Sequence, residues 1–527
     1  MAYKDSFKNQ NWLLPLSIKQ MIPENHICFF VEEFADNLDF SEFDLKFEGA
    51  GAPAYHPRIL AKILLQGMLS KERSSRKIAS ACRESFVFMY LAEKVAPDFR
   101  TICRFRRENA DFLKQVFKET IKLASEYNLL DLSFIAIDGT TMKANANRKR
   151  TLKKEQISKL DEIVNKLVEE DLRQDELDEK LDEGNLTHMD KRDFKKIVSE
   201  YQRVKNKTKI KEKLEKVKEE VAKDEKLKKV SLTDPESRMM QNKQRVRELS
   251  YNTQLSVDKN QIIVATDVCQ DGHDAHQLIP QIENVKENVE LTGEEKFSAD
   301  CGYSDAENIK YCEDARINLF VPSRAQAQKF DGKDETLNHD KYEYDEKTDE
   351  LIVEGERFSR SGDYMRNERR IATFYSKKLK KKKDVPFFFR ERLRMRDKME
   401  TDEGREVYRW RKITVEPVIG QIKENLGFRQ FSLRGLEGAR IEIRIVSIAH
   451  NLKKIWNRMR ERGGIAEDLR NVVICFVEVD LIMGRRPLLS SYPIRKCGKP
   501  ASAEFFYRRK LDWCRSFCQH INFCVAE

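Results

Sequence analysis

Between residues 126 and 324 the apolar pattern changes period twice, and a chain with that change can be neither all helix nor all sheet. Leu132–Ile137 is a short Ile- and Phe-rich run ending in Asp138-Gly139, which predicts a strand leading into a loop. From about 150 to 235 the chain turns charge-rich, and its apolar residues fall on 3-4 spacing. Ile157, Leu160, Val164 and Leu167 come first, then Tyr201 and Val204, then Leu214, Val217 and Val221. With Gly184-Asn185 as a turn, this predicts an antiparallel helical hairpin projecting from the body, its charges a solvated face. Strand character returns at Tyr251–Val257 and Gln261–Val268, divided by the hairpin turn Asp258-Lys259-Asn260. A helix over Ala275–Val289, a strand at Lys296–Ala299, a helix at Ser304–Cys312 and a strand at Ile317–Val321 follow. Residues 325–404 are polar and basic, nearly all lysine over Lys377–Lys383, and predict an irregular insertion. One helix beginning near Glu416 and another over Ala439–Trp456 close the pattern. Strands interleaved with helices predict an α/β class with a mixed sheet, interrupted twice.

Residues 1–125 read differently. Pro57 suits the first turn of a helix carrying Ile59, Leu60, Ile63, Leu64 and Met68 on one stripe. Ser74 or Ser75 suits the cap of the next. After Pro97, the stretch Phe99–Asn109 sets Arg100, Arg104, Arg106 and Arg107 around an Ile102/Phe105 face. Short helices ending in a basic one suit a helix-turn-helix DNA reader, and equally a trihelical bundle with solvated arginines. The formal net charge of +10, from 99 Lys+Arg against 89 Asp+Glu, tilts toward a polyanionic partner. No apolar run approaches the ~20 residues of a membrane span. The polar stretch Met1–Asn11 lacks a secretory signal, so a cytoplasmic site is expected. The 11 scattered cysteines suit reduced thiols.

Three acids sit where chemistry would want them. Asp138 and Asp300 end strands, at the edge where open α/β sheets gather ligands. Glu416 lies beside Pro417, a residue suited to a first helical turn. Converging carboxylates repel, a cost that divalent cations relieve. Two such ions about 3.5–4 Å apart can clamp the attacking and leaving oxygens of a phosphoryl displacement. Each acid also has an ordinary reading. Asp138-Gly139 is a common strand-to-turn pair, Asp300 and Asp305 suit a loop acid and a helix cap, and Glu416 suits a helix N-terminus, with Glu424 nearby. Asp267, Asp271, His273, Asp274 and His276 form a denser cluster, better read as a polar loop capping the next helix than as a metal site.

Four stretches carry a family likeness. They are Ala136-Ile137-Asp138-Gly139-Thr140-Thr141-Met142-Lys143-Ala144-Asn145, Tyr251-Asn252-Thr253-Gln254, Ser298-Ala299-Asp300-Cys301-Gly302-Tyr303, and Tyr408 through Lys423. In that order they resemble the bacterial insertion-sequence DDE transposases with an RNase H-like catalytic domain and a Tyr-Arg-Glu-Lys signature. Pro57–Arg106 also resembles that family's N-terminal helical module. The resemblance implies Asp138, Asp300 and Glu416 as catalytic acids binding two Mg²⁺ ions, with Mn²⁺ an expected substitute. It implies Tyr408, Arg411 or Lys412, and Lys423 as phosphate-side residues; Arg411 leaves the Arg-to-Glu gap one residue long, and Lys412 would restore it. Arg104, Arg106 and Arg107 are the expected DNA contacts of the helical module.

The same resemblance implies double-stranded DNA as partner, both terminal inverted repeats and target, and a homodimer for synapsis. It implies cleavage at the element's end to leave a 3′-hydroxyl, then attack of that hydroxyl on target DNA. The expected organisation is a helical DNA-binding domain over 1–125 and the first core strand over 126–149. A charged hairpin insertion over 150–245 precedes more core over 246–324. A basic insertion over 325–404, closing core helices over 405–462 and a tail over 463–527 complete it. That tail holds Cys475, Cys497, Cys514, Cys518, His520 and Cys524 without paired C-x₂-C spacing, and no cysteine lies between Cys312 and Cys475, so no zinc is expected. Two rivals stand beside a transposase: a nuclease that cuts without rejoining, and a degenerate copy that only binds DNA.

Overall fold

The computed structural model describes residues 17–46, 54–169, 196–197, 207–224, 227–242, 245–333, 342–366 and 369–461. The class is mixed α/β. Seven helices come first: α1 (Ile27–Asp36), α2 (Ser41–Lys46), α3 (Pro57–Leu69), α4 (Ser75–Glu84), α5 (Phe86–Leu91), α6 (Phe99–Glu108) and α7 (Ala110–Glu126). Pro57 does open α3, behind a His56 cap whose Nδ1 accepts from the Arg58 amide at 3.1 Å. The Ile78, Ala79 and Cys82 face of α4 is buried as its spacing predicts.

The main sheet is built from β1 (Phe134–Lys143), β4 (Arg238–Gln241), β5 (Arg247–Asp258), β6 (Ile263–Cys269), β7 (Lys296–Ala299) and β8 (Asn318–Phe320). Its path is β4-β5-β1-β7-β8, with β6 on the same side of β5 as β4. β1, β7 and β8 run parallel, and β5 is antiparallel to β1. Phe134–Ile137 are all fully buried, the continuous apolar run expected of a strand covered on both faces. Helices α10 (Leu278–Asn288), α11 (Ala306–Asp314) and α12 (Arg324–Phe330) follow β6, β7 and β8 in turn. After α13 (Phe389–Glu400) come α14 (Asp402–Gly420), a π-helical turn over Gln421–Asn425, and α15 (Leu436–Glu461). α14 packs on β1 and β7, and α15 on β6, α3 and α7.

The N-terminal helices are therefore docked on the core. Asn451 of α15 receives the Ile263 amide at 2.9 Å and donates to the Ile263 carbonyl and to Thr120 of α7. Arg106 of α6 meets Glu442 of α15 at 3.3 Å, both buried.

The first insertion contains β2 (Thr151–Lys153), α8 (Lys154–Glu169), α9 (Lys207–Lys223) and β3 (Lys229–Ser231). Ile157, Leu160 and Val164 pack with Leu214 and Val217 in one core, as their spacing predicts. The turn at Gly184-Asn185, Tyr201, Val204 and everything from 462 onward, including the tail cysteines, lie outside the described residues. The second insertion is not irregular. Strands β9 (Glu343–Asp345), β10 (Glu350–Val353), β11 (Glu356–Arg366), β12 (Arg369–Ser376) and β13 (Lys381–Pro386) form an antiparallel sheet in sequence order. Its core is small, with Leu351, Phe358, Phe374 and Val385 packed on Phe389 at the start of α13. Among the described residues no helix is long and apolar enough to cross a membrane.

Candidate active site

Asp138 and Asp300 stand side by side because β1 and β7 are parallel and in register. The last paired residues are Ile137 and Ala299, so each acid is the next residue along its own strand. Neighbouring strands lie about 4.8 Å apart. β1 does not give way to a loop at Asp138-Gly139, because its pairing with β5 continues to Lys143. Asp138 is thus held mid-strand and almost buried, which fixes its backbone more firmly than a loop would. β7 does end, and Asp300 caps the short turn Cys301–Tyr303 by accepting from the Gly302 amide at 2.7 Å. Asp305 caps α11 and pairs with Arg369 at 3.0 Å.

The third acid arrives on α14, and here the expectation from Pro417 fails. The helix starts at Asp402, so Glu416 lies in its last turns and Pro417 inside it. A proline there deprives the Ile413 carbonyl of its amide partner. Gln261 Nε2 supplies the missing donor at 3.1 Å, so the helix continues. A helix-N-terminus role for Glu416 is excluded by the same geometry.

One cation gathers these acids. Arg411 is buried, with Nη1 3.3 Å from Asp138 Oδ2 and Nη2 3.7 Å from Glu416 Oε1. Burial opposes its charge, but the fields of Asp138, Asp300, Tyr408 and Glu416 outweigh it and hold the guanidinium above its usual range. Lys412 faces elsewhere and pairs with Asp331. Between the two candidates left open by spacing, Arg411 is the one on the acid face. Tyr408 is buried, its ring 5.6 Å from that of Phe330 and 5.3 Å from the Arg411 guanidinium carbon. Burial pushes its hydroxyl up to about 12. Lys423, in the π-helical turn, donates to Thr140 Oγ1 at 2.5 Å. Thr140 is two residues along β1 from Asp138 and so on the same face of the strand.

Among the described residues, no three His, Cys, Asp or Glu side chains close on one point as a ready metal site. The three acids nevertheless suit a divalent ion in charge and in donor type, all carboxylate oxygen. Arg411 is the stand-in cation among them, and a closed ligand cage does not form while its guanidinium lies there.

The polar loop after β6 splits in role. Asp271 accepts from Gln277 Nε2 at 2.8 Å at the start of α10, and Asp267 pairs with Arg440 at 2.8 Å. His273 and His276 are exposed. Asp274 instead turns inward, where its Oδ1 accepts from Asn252 and Gln254 of β5, both at 2.7 Å. Sequence spacing assigned it only to the capping loop. The signal that could have found it is the polar pair Asn252 and Gln254 within an otherwise buried strand.

The arginines expected to touch DNA part company as well. Arg104 and Arg107 are exposed on α6. Arg106 is not a surface cation: besides Glu442 it donates to the Arg73 carbonyl at 3.3 Å, so contact with a duplex is closed to it.

Two family models match the chain. A transposase domain (DUF772) covers residues 16–108, and a transposase DDE domain covers residues 375–456. No curated protein matches it. The second match contains Tyr408, Arg411, Glu416 and Lys423, and the first contains helices α1 to α6. With both ends of the compact region matched in this way, the chain belongs with the insertion-sequence DDE transposases.

Proposed function

We propose that this transposase cleaves DNA at the ends of its element and transfers the freed strands to target DNA, using Asp138, Asp300 and Glu416 on an RNase H-like core. The observation that carries the reading is the gathering of these three acids on one buried guanidinium, Arg411. Acids brought from two parallel strands and a closing helix to one cation are what a phosphoryl-transfer centre requires.

In this reading Mg²⁺, or Mn²⁺ in its place, supplies charge neutralisation to the attacking and leaving oxygens when bound. Asp138 and Asp300 hold the ions from the rigid sheet edge, and the half-exposed Glu416 closes the set from α14. Arg411, once released from the acids, turns to a phosphate oxygen, and its planar fork suits that partner. Lys423 holds the backbone on the Thr140 side of the site. Lys412 and Tyr408 flank the same helix and contact the DNA beyond it. Residues 1–125 bind the terminal repeats, with Arg104 and Arg107 on phosphates, and the core segments 126–149, 246–324 and 405–462 cut. Two copies pair the two ends.

The test is Asp138→Asn in Mg²⁺-dependent cleavage of a duplex carrying the element's end. Cleavage is expected to disappear while end binding persists; retained cleavage would remove Asp138 from the centre. Strand-transfer products from the wild-type chain separate a transposase from a nuclease that only cuts.

A further inference from the structure

Asp274 lies 22 positions beyond Asn252 in the chain, yet the fold returns it to the catalytic edge of the sheet. Three observations converge on it. Its Oδ1 is fixed by two amides from one strand, Asn252 Nδ2 and Gln254 Nε2, both at 2.7 Å. Gln254 is in turn held by the buried Tyr303 hydroxyl, and Gln254 pairs across the ladder with Gly139, the neighbour of Asp138.

The second observation is a missing side chain. A Cβ placed on Gly139 would fall 2.4 Å from Asp274 Oδ1 and 2.5 Å from Gln254 Nε2, far inside contact distance. Position 139 is glycine because Asp274 occupies the space beside it. The third is a second missing side chain. A Cβ on Gly302 would meet Asp300 Oδ1 at 2.8 Å and Asp274 Oδ2 at 3.5 Å. The two carboxylates therefore border one small space, with Oδ1 of Asp274 tied to amides and Oδ2 turned toward the Asp300 turn. Burial, then the charges of Asp274, Asp138 and Asp300, push the Tyr303 hydroxyl well above its usual range, so all three acids act on one neighbouring group.

We propose that Asp274 is a fourth carboxylate of the catalytic centre. It is a positioning residue, held by Asn252 and Gln254, that places fixed negative charge between the Asp138 strand and the Asp300 turn and strengthens divalent-cation binding there. This rests on the assignment of Asp138 and Asp300 as cation-binding acids. Asp274 acts through the field at the site and through Oδ2 as an acceptor, since Oδ1 is committed to the amides. It also accounts for the glycines in Asp138-Gly139 and Asp300-Cys301-Gly302: each leaves room for a carboxylate.

The experiment is Mn²⁺ binding to the full chain without DNA, followed by electron paramagnetic resonance, with urea midpoints measured in parallel. Asp274→Asn keeps an oxygen for the Asn252 and Gln254 amides and removes only the charge. It is expected to weaken Mn²⁺ about tenfold with the urea midpoint nearly unchanged, the scale seen when groups supporting metal ligands are altered. Gly139→Ala is the second variant, because it keeps every charge but forces the Asp274 carboxylate aside, and it too is expected to weaken Mn²⁺. Asp138→Asn and Asp300→Asn are the controls, expected to lose Mn²⁺ binding almost entirely. Wild-type Mn²⁺ affinity in folded Asp274→Asn, or in Gly139→Ala should the first not fold, overturns the role of Asp274 while the controls uphold the centre. Unchanged Mn²⁺ binding in Asp138→Asn overturns the centre itself.

Discussion

Arg411 neutralises carboxylates in the protein interior, so its removal should be measurable without any DNA. Arg411→Met keeps most of the side-chain volume and deletes the charge. The Asp138 limb is buried on both sides, with side-chain exposures of 5% and 11%. Breaking such a pair strands a carboxylate and costs about 3–5 kcal/mol. Asp138 retains the Gly139 amide at 2.8 Å, which argues for the lower end, about 3 kcal/mol. The Glu416 limb adds little, because Glu416 is 53% exposed and solvent screens it. A divalent ion at a hundred times its dissociation constant returns about 2.7 kcal/mol to whatever it binds in the folded state. Urea unfolding of Arg411→Met should therefore show a lowered midpoint that Mn²⁺ largely restores. The wild-type chain should gain less, because the guanidinium competes for the same oxygens. Equal midpoints for the two chains without Mn²⁺, or equal gains on adding it, would refute the stand-in role.

Other outcomes follow from neighbouring contacts. Lys423→Ala should reduce the salt slope of end binding by about one unit, the share of one phosphate contact, read from binding isotherms at several salt concentrations. Arg104→Ala and Arg107→Ala should each lower that slope similarly, whereas Arg106→Ala should leave it unchanged and instead cost about 3–5 kcal/mol in urea unfolding by stranding Glu442. His450 is buried and accepts no charge easily: burial first, then Lys454 and Lys453 nearby, lower its value from 6.5 to about 4. The unfolded chain thus takes up a proton that the folded chain refuses, so stability is full above pH 6.5 and falls as pH drops toward 4. At 1.36 kcal/mol per unit the loss is roughly 3 kcal/mol, and His450→Gln should flatten that part of the pH–stability curve.

Much of this architecture was legible from residue patterns. The run Phe134–Ile137, the hairpin at Asp258-Lys259-Asn260 and the stripe on α15 all carry their burial in their spacing. Two misreadings have plain physical causes. Pro417 suggested a helix start because its missing amide is harmless there, and nothing near it in sequence shows that Gln261 would satisfy Ile413. The five strands from Glu343 to Pro386 were hidden because charged side chains fill the outer part of β11 and most of β13. Only a handful of buried residues mark their core. Asp274 was missed for a third reason: its partners lie on a strand two turns of topology away, and local spacing shows only a polar loop.

The junction of Arg106 with Glu442, reinforced by the Thr120–Asn451–Ile263 contacts, makes the helical head and the cutting face one stiff piece. If the head grips a terminal repeat, the interval between gripped base pairs and severed phosphodiester is set by this joint, much as a fixed jaw sets the bite of a wrench. Heads exchanged between related proteins would keep that interval only if α15 travelled with them. A head grafted without its own Glu442 and Asn451 partners should cut at shifted or scattered positions while still binding its repeat.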